Sequence, residues 1–172
     1  MELTLIRNAT LVLDYAGHRI LIDPYFAPKH SLPSFTGKSP NPMVDLPFPP
    51  EKILDGVELL LVSHLHTDHF DTVAQEFIDK TLPLVCQPGD EEKIQSKGFQ
   101  EVFPLQDSVE WNGIYITRTD GHHGLGEVEK LMGKVCGFVL QAEGEPTVYW
   151  AGDTVLCAEV EEAITHFQPH VI

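Results

Sequence analysis

Residues 63–71 read Ser-His-Leu-His-Thr-Asp-His-Phe-Asp, which places His64, His66 and His69 beside Asp68 and Asp71 in a chain with nine histidines. Imidazole nitrogens and carboxylate oxygens at this density suit a borderline divalent cation such as zinc, manganese or iron(II). A polar, histidine-rich surface loop would look similar, but the spacing favours the cation. In a stretch leaving a strand, His64 and His66 project to the same side. Asp68 and His69 are adjacent and diverge, so that pair is able to complete a second cation position without crowding the first.

A metal site also needs donors from outside the motif. Gly121-His122-His123-Gly124 and Ala151-Gly152-Asp153-Thr154 each follow a predicted strand, as His64 does. Three strand ends delivering His, His and Asp make one coherent active-site edge, with Gly152 permitting close backbone approach. Taken alone, His122 and His123 read equally well as loop histidines. Asp153, and Asp23 in Asp23-Pro24, read equally well as ordinary turn aspartates.

The elements that must hold these residues follow from periodicity. Residues 3–6, 10–15 and 18–22 alternate as strands, with Ala16-Gly17 as a hairpin turn. Residues 59–62 are wholly apolar, suit a buried strand, and lead directly into His64. Residues 71–80 carry Val73, Ala74, Phe77 and Ile78 on one helical face, with Asp71 placed to cap it. The motif thus falls between the end of a strand and the start of a helix, where α/β folds place their ligands. Further strands are predicted at 84–86, 101–103, 109–111, 114–118, 135–141 and 147–150, with Asn112-Gly113 as a second hairpin turn. A helix capped by Asp90 is expected at 90–97, a loop at 119–133, and an amphipathic helix through Val160, Ala163, Ile164 and Phe167.

Eight of the thirteen prolines crowd into residues 24–50, which show no sustained period. Such a segment is expected to be a binding loop or lid. Its Tyr25, Phe26, Phe35 and Phe48 either line a substrate pocket or anchor the loop to a sheet. The chain stops at His170-Val171-Ile172, where a new apolar strand begins, so residues 1–172 are expected to form a single domain that is C-terminally incomplete.

Composition narrows the classes of partner. Eleven basic against 26 acidic residues give a net charge of −15, which repels phosphodiester backbones, so no nucleic-acid partner is expected. No apolar run reaches the roughly 20 residues of a membrane span. The N-terminus shows neither a basic leader nor a cleavage site. Cys86, Cys136 and Cys157 are widely spaced and form no Cys-x-x-Cys pair, which argues against a disulfide framework or a thiolate zinc site and for a reducing cytoplasm. A small-molecule substrate is expected, and an exposed edge on the last strand would favour homo-oligomers.

Ser-His-Leu-His-Thr-Asp-His-Phe-Asp resembles the signature of the metallo-β-lactamase superfamily, and the later histidine and Gly152-Asp153-Thr154 match its further motifs in order. With Arg7-Asn8-Ala9-Thr10 and Ile20-Leu21-Ile22-Asp23-Pro24, the chain looks most like its branch of predicted metal-dependent hydrolases. That branch includes the ascorbate-phosphate lactonases and the phospholipase D acting on N-acyl-phosphatidylethanolamines. The resemblance implies a mixed α/β (α+β) domain, an αββα sandwich lacking its last C-terminal elements, and two divalent cations, zinc first, with manganese or iron as substitutes. His64, His66 and His123 would hold the first cation, His123 being preferred to His122 because family ligands here are followed directly by glycine. Asp68 and His69 would hold the second, with Asp153 bridging. Asp68 would also act catalytically by orienting the nucleophile, a metal-bound hydroxide that attacks a small ester, lactone or phosphorylated substrate. Asp23, Asp71, Thr67 and Thr154, with His122, are expected to support these ligands from behind. The superfamily usually supplies one more histidine to the second cation, and neither His166 nor His170 fits that pattern. A mononuclear iron sulfur dioxygenase and a non-catalytic metal-binding scaffold are the alternatives.

Overall fold

The computed structural model describes residues 1–34 and 37–172. The N-terminal strands β1 (Glu2–Arg7), β2 (Thr10–Tyr15) and β3 (His18–Ile22) form an antiparallel meander. Ala16 and Gly17 turn its second hairpin at φ 51° and 83°, the left-handed pair that matches the twist of a tight hairpin. After the proline-rich segment and α1 (Pro50–Leu54), β4 (Leu59–Val62) joins β3 in parallel. Then come α2 (Thr72–Phe77), β5 (Leu84–Cys86), α3 (Glu91–Gln95) and β6 (Val102–Pro104), which complete a six-stranded sheet ordered β1-β2-β3-β4-β5-β6. The chain then builds a four-stranded antiparallel sheet from β7 (Ser108–Trp111), β8 (Ile114–His122), β9 (Lys134–Gln141) and β10 (Val148–Trp150), ordered β10-β9-β8-β7, with α4 (Glu127–Met132) between β8 and β9 and α5 (Ala158–Phe167) after β10.

The apolar run of β4 shows why the layers stack as they do. Leu60 and Val62 share one core with Ile53, Ala74, Ile78 and Ile94 of the helical side. Leu59 and Leu61 point the other way, into a second core with Ile114, Ile116, Phe138 and Leu140 of the other sheet. A strand buried on both faces cannot alternate apolar with polar residues, which is why it reads as an unbroken run. On the outer face of the second sheet, Val139 and Tyr149 pack against Val160 and Ala163 of α5. The result is the αββα sandwich.

Three local expectations need correction. Strand β8 runs to His122, because β9 supplies a partner for every residue from Arg118↔Phe138 to His122↔Lys134. Its polar tail has no alternation of its own to announce that pairing. Within the expected loop lies α4, none of whose residues is buried, so no apolar stripe marked it. Asp90 precedes α3 in a helical conformation and makes no side-chain cap; its carboxylate instead accepts from Gln87 Nε2 at 2.8 Å.

Asp71 does cap α2, accepting from the Val73 and Ala74 amides at 3.2 and 3.1 Å. It also accepts the Phe26 amide at 2.8 Å, tying the proline-rich segment to the helix. Asp71→Ala is therefore expected to lower the unfolding free energy by about 1–2 kcal/mol. Asp71→Asn, an equally good cap, should recover most of that loss in a urea titration.

Residues 24–50 are anchored at several points. The buried Arg7 guanidinium donates to the carbonyls of Val44, Tyr25 and Ala27 at 2.9–3.0 Å. Leu32 bridges Asn41. Tyr25 and Phe26 are core residues, whereas Phe48 is partly exposed beneath Lys52. The aromatics at 25 and 26 are thus anchors, and Phe35 lies outside the described residues. At the other end of the chain, Val171 bridges Val148 in parallel, and the Tyr149 amide donates to its carbonyl at 2.8 Å. Among the described residues no helix is long and apolar enough to cross a membrane.

Candidate metal centre

The centre is organised from behind by one carboxylate. Asp23 is fully buried at the end of β3 and takes a left-handed φ of 45°. It accepts the Ser63 amide and hydroxyl at 2.7 Å each, His69 Nδ1 at 3.0 Å, and the Trp150 indole at 2.9 Å. Donors from both sheets thus converge on a single side chain. The bond from Nδ1 fixes the His69 tautomer and turns Nε2 outward, toward Asp153 Oδ1 at 3.1 Å.

In front of Asp23, two overlapping groups of donors assemble: His64, His66 and His123, and then His64, His69 and Asp153. The ligand atoms within each group lie within 4.8 Å of one another. His64 belongs to both, its ring centroid 4.5 Å from that of His66, 4.1 Å from His69 and 5.5 Å from His123. His64 Nε2 is buried and has no hydrogen-bond partner, while Nδ1 of the same ring meets Ser63 Oγ at 3.1 Å. Leaving such an atom unsatisfied costs about 1–3 kcal/mol. A cation among the four imidazoles and the carboxylate satisfies it, so the donor set fits a divalent metal.

The electrostatics agree. Burial, reinforced by neighbouring His69 and His66, pulls the His64 pKa down to about 3, which keeps it in the neutral, ligating form. Burial also opposes charge on His69, but its hydrogen bonds to Asp153 and Asp23 prevail and raise its pKa to about 10. The His69 hydrogen bond, working against burial, lowers that of Asp153 to about 2. The 3.1 Å contact between His69 Nε2 and Asp153 Oδ1 joins two donors that a cation would draw on.

Of the six residues expected as ligands, five come together: His64, His66, His69, His123 and Asp153. Asp68 belongs to neither group and lines, with Asn8, Ala9, His69, Trp150 and Asp153, an open cavity of about 320 Å³. The supporting residues divide. Asp23 bonds His69 directly, Asp71 serves α2 and Phe26, and Thr67 is exposed. Thr154 Oγ1 accepts the His122 amide at 3.0 Å, and the His122 ring bonds Glu129 and lies 3.2 Å from Glu159. His170 Nδ1 accepts the Thr147 amide. Gly152 has a φ of 68°, and a Cβ there would lie 2.6 Å from the Cys136 carbonyl, so only glycine lets the Asp153 turn sit this close to β9.

Two residues that hold the centre together, Ser63 and Trp150, are not evident from sequence. Ser63 does carry a signal, a small hydroxyl directly before the first motif histidine. Trp150 reads simply as the final residue of an ordinary strand.

Residues 18–170 match the β-lactamase superfamily domain. The chain belongs to that family. It is 40% identical to the UPF0173 protein YddR of Bacillus subtilis and 30% identical to a UPF0173 metal-dependent hydrolase of Xanthobacter autotrophicus, in each case over 100% of this chain and 70% of the relative. Among solved structures it superposes on a possible metal-dependent hydrolase of Veillonella parvula with a TM-score of 0.94 and 40% identity, over 98% of this chain and 69% of that one. It matches an isothiocyanate hydrolase from Delia radicum gut bacteria with a TM-score of 0.93 and 40% identity, over 99% and 70%. This member of the family is an enzyme, a metal-dependent hydrolase.

Proposed function

We propose that the chain hydrolyses a small carbon electrophile at a two-cation centre. In this reading His64, His66 and His123 hold one cation, Asp68 and His69 the other, and Asp153 is shared. The observation that carries it is the buried, partnerless Nε2 of His64 at the meeting point of both donor groups. Divalent ions in such a site, zinc first for this nitrogen and oxygen donor set, supply Lewis acidity and a water acidified to near neutrality. The protein contributes the rest. Asp23 holds His69 in the ligating tautomer, and Asp68, which lines the cavity, would orient the attacking water. Trp150 closes the cavity from β10.

The likeness to an isothiocyanate hydrolase favours a cumulated carbon, R–N=C=S. Addition of water across C=N gives a thiocarbamic acid. That acid breaks its C–N bond to release the amine and carbonyl sulfide, so R–N=C=S and H2O become R–NH2 and COS. A second reading, a phosphorylated or carboxylated substrate, is favoured by Lys93 and Lys134 in a neighbouring cavity of about 420 Å³ that His64 and His66 also line. The thiols at Cys86, Cys136 and Cys157 are free, which suits a reducing compartment such as the cytoplasm.

The test pairs elemental analysis of the purified protein with a panel of isothiocyanates, lactones, esters and phosphate esters. Close to two zinc or manganese ions per chain, with amine release from isothiocyanates as the fastest reaction, is the expected result. Faster turnover of phosphate esters would move the assignment to the second reading. A single iron with oxygen uptake on persulfide, or no hydrolysis in any loaded form, would overturn both.

A further inference from the structure

A second set of donors lies where β8 ends, one residue before His123 of the four-imidazole cluster, and shares no residue with that cluster. The ligand atoms of His122, Cys157 and Glu159 come within 4.8 Å of one another. They come from two places: the last residue of β8, and the start of α5, where Cys157 is the residue before the helix and Glu159 lies in its first turn. His122 Nδ1 is hydrogen-bonded to Glu129 of α4, which leaves Nε2 aimed at Glu159, 3.2 Å from Oε1. An imidazole whose one nitrogen is held by a carboxylate presents the other as a metal ligand in a fixed tautomer and orientation.

An ion pair between His122 and its two glutamates would not need a thiol. Yet Cys157 completes the group. It is half-buried, whereas Cys86 and Cys136 are fully buried in the cores. Imidazole, thiolate and carboxylate are the three donor types zinc prefers, and three protein ligands leave its fourth position to water. A chain with a net charge of −15 also attracts cations to such a surface.

We propose that His122, Cys157 and Glu159, with Glu129 orienting His122, form an additional binding site for zinc or a similar thiophilic divalent cation. It is distinct from the His64–Asp153 centre and does not depend on the reading of that centre. Bound there, the ion fastens α4 and α5 to the end of β8. His122 is the neighbour of His123, and Cys157 lies four residues beyond Asp153. Occupancy therefore steadies the two chain segments that deliver the second sheet's donors.

The experiment uses cobalt(II) as the probe on the whole chain. Wild type is expected to show a near-ultraviolet thiolate-to-cobalt absorption and a cobalt content that falls by one ion per chain in Cys157→Ser, with the absorption lost. His122→Ala should lose the same ion, and circular dichroism should show both variants folded. Absence of the thiolate band in wild type, or an unchanged band and cobalt count in Cys157→Ser, would overturn the proposal. A readout that needs no variant is alkylation of Cys157 by iodoacetamide, followed by mass spectrometry. Zinc should slow it at least tenfold, and an equal rate with and without zinc counts against the site.

Discussion

His66→Ala is expected to fold normally, to lose one cation per chain, and to hydrolyse its best substrate more than 100-fold more slowly than wild type. The structural work of residue 66 is done by its backbone, whose carbonyl accepts the amides of His69 and Phe70 at 3.0 Å and so closes the turn of the motif. Alanine keeps both bonds. What it removes is an imidazole whose ring centroid lies 4.9 Å from that of His123 and 4.5 Å, edge-on, from that of His64, one member of the three-histidine group. Losing a residue that merely orients a ligand typically costs about 10–100-fold in metal affinity or activity, so losing a ligand itself should exceed that range. Steady-state kcat/KM and elemental analysis together check the claim. A variant with full cation content and a rate within tenfold of wild type would refute the assignment of His66.

Asp23→Ala should have the largest effect on stability, about 3–5 kcal/mol, because it strips one partner from a buried charged pair. Against the 5–15 kcal/mol that a domain has in all, that is a large fraction. The Ser63 amide and hydroxyl, His69 Nδ1 and the Trp150 indole would all lose their acceptor, and Asp23, Ser63 and His69 are buried. Asp23→Asn tolerates the left-handed backbone at this position but turns a donor toward donors, so an intermediate loss is expected. Urea unfolding of the metal-free protein measures both. A loss below 1 kcal/mol in Asp23→Ala would show that the hub is not what holds this end of the sandwich.

The motif, the strands of the first sheet and the Asp71 cap were legible because each is announced locally, by ligand spacing, by apolar runs or by a cap three residues ahead of its donor. The polar end of β8 and the exposed α4 were not. Their stability comes from a partner strand and from chain connectivity, neither of which leaves a period in the sequence. The same holds within the site. Residues 64–69 stand out at once, whereas the convergence of Ser63, His69 and Trp150 on Asp23 joins positions up to 127 residues apart. The resemblance to the superfamily did place Asp23 behind the ligands, where it bonds His69, but an aspartate before a proline gives no hint of its bonds to Ser63 and Trp150. Asp90 is the converse case, a good cap by type whose side chain is claimed by Gln87.

The donors gathered at the centre come from both halves of the sandwich, His64, His66 and His69 from the segment after β4 of one sheet, His123 and Asp153 from the segments after β8 and β10 of the other. This arrangement sets an order of events during folding. The short motif, being local, is able to take up a cation loosely while the chain is still assembling. Tight capture has to wait until the sheets meet, since loop closure over so many residues comes late. An ion held by this donor set would then work as a proofreader of assembly: it would reward only the completed pairing of the two sheets, and any opening between them would first have to surrender it.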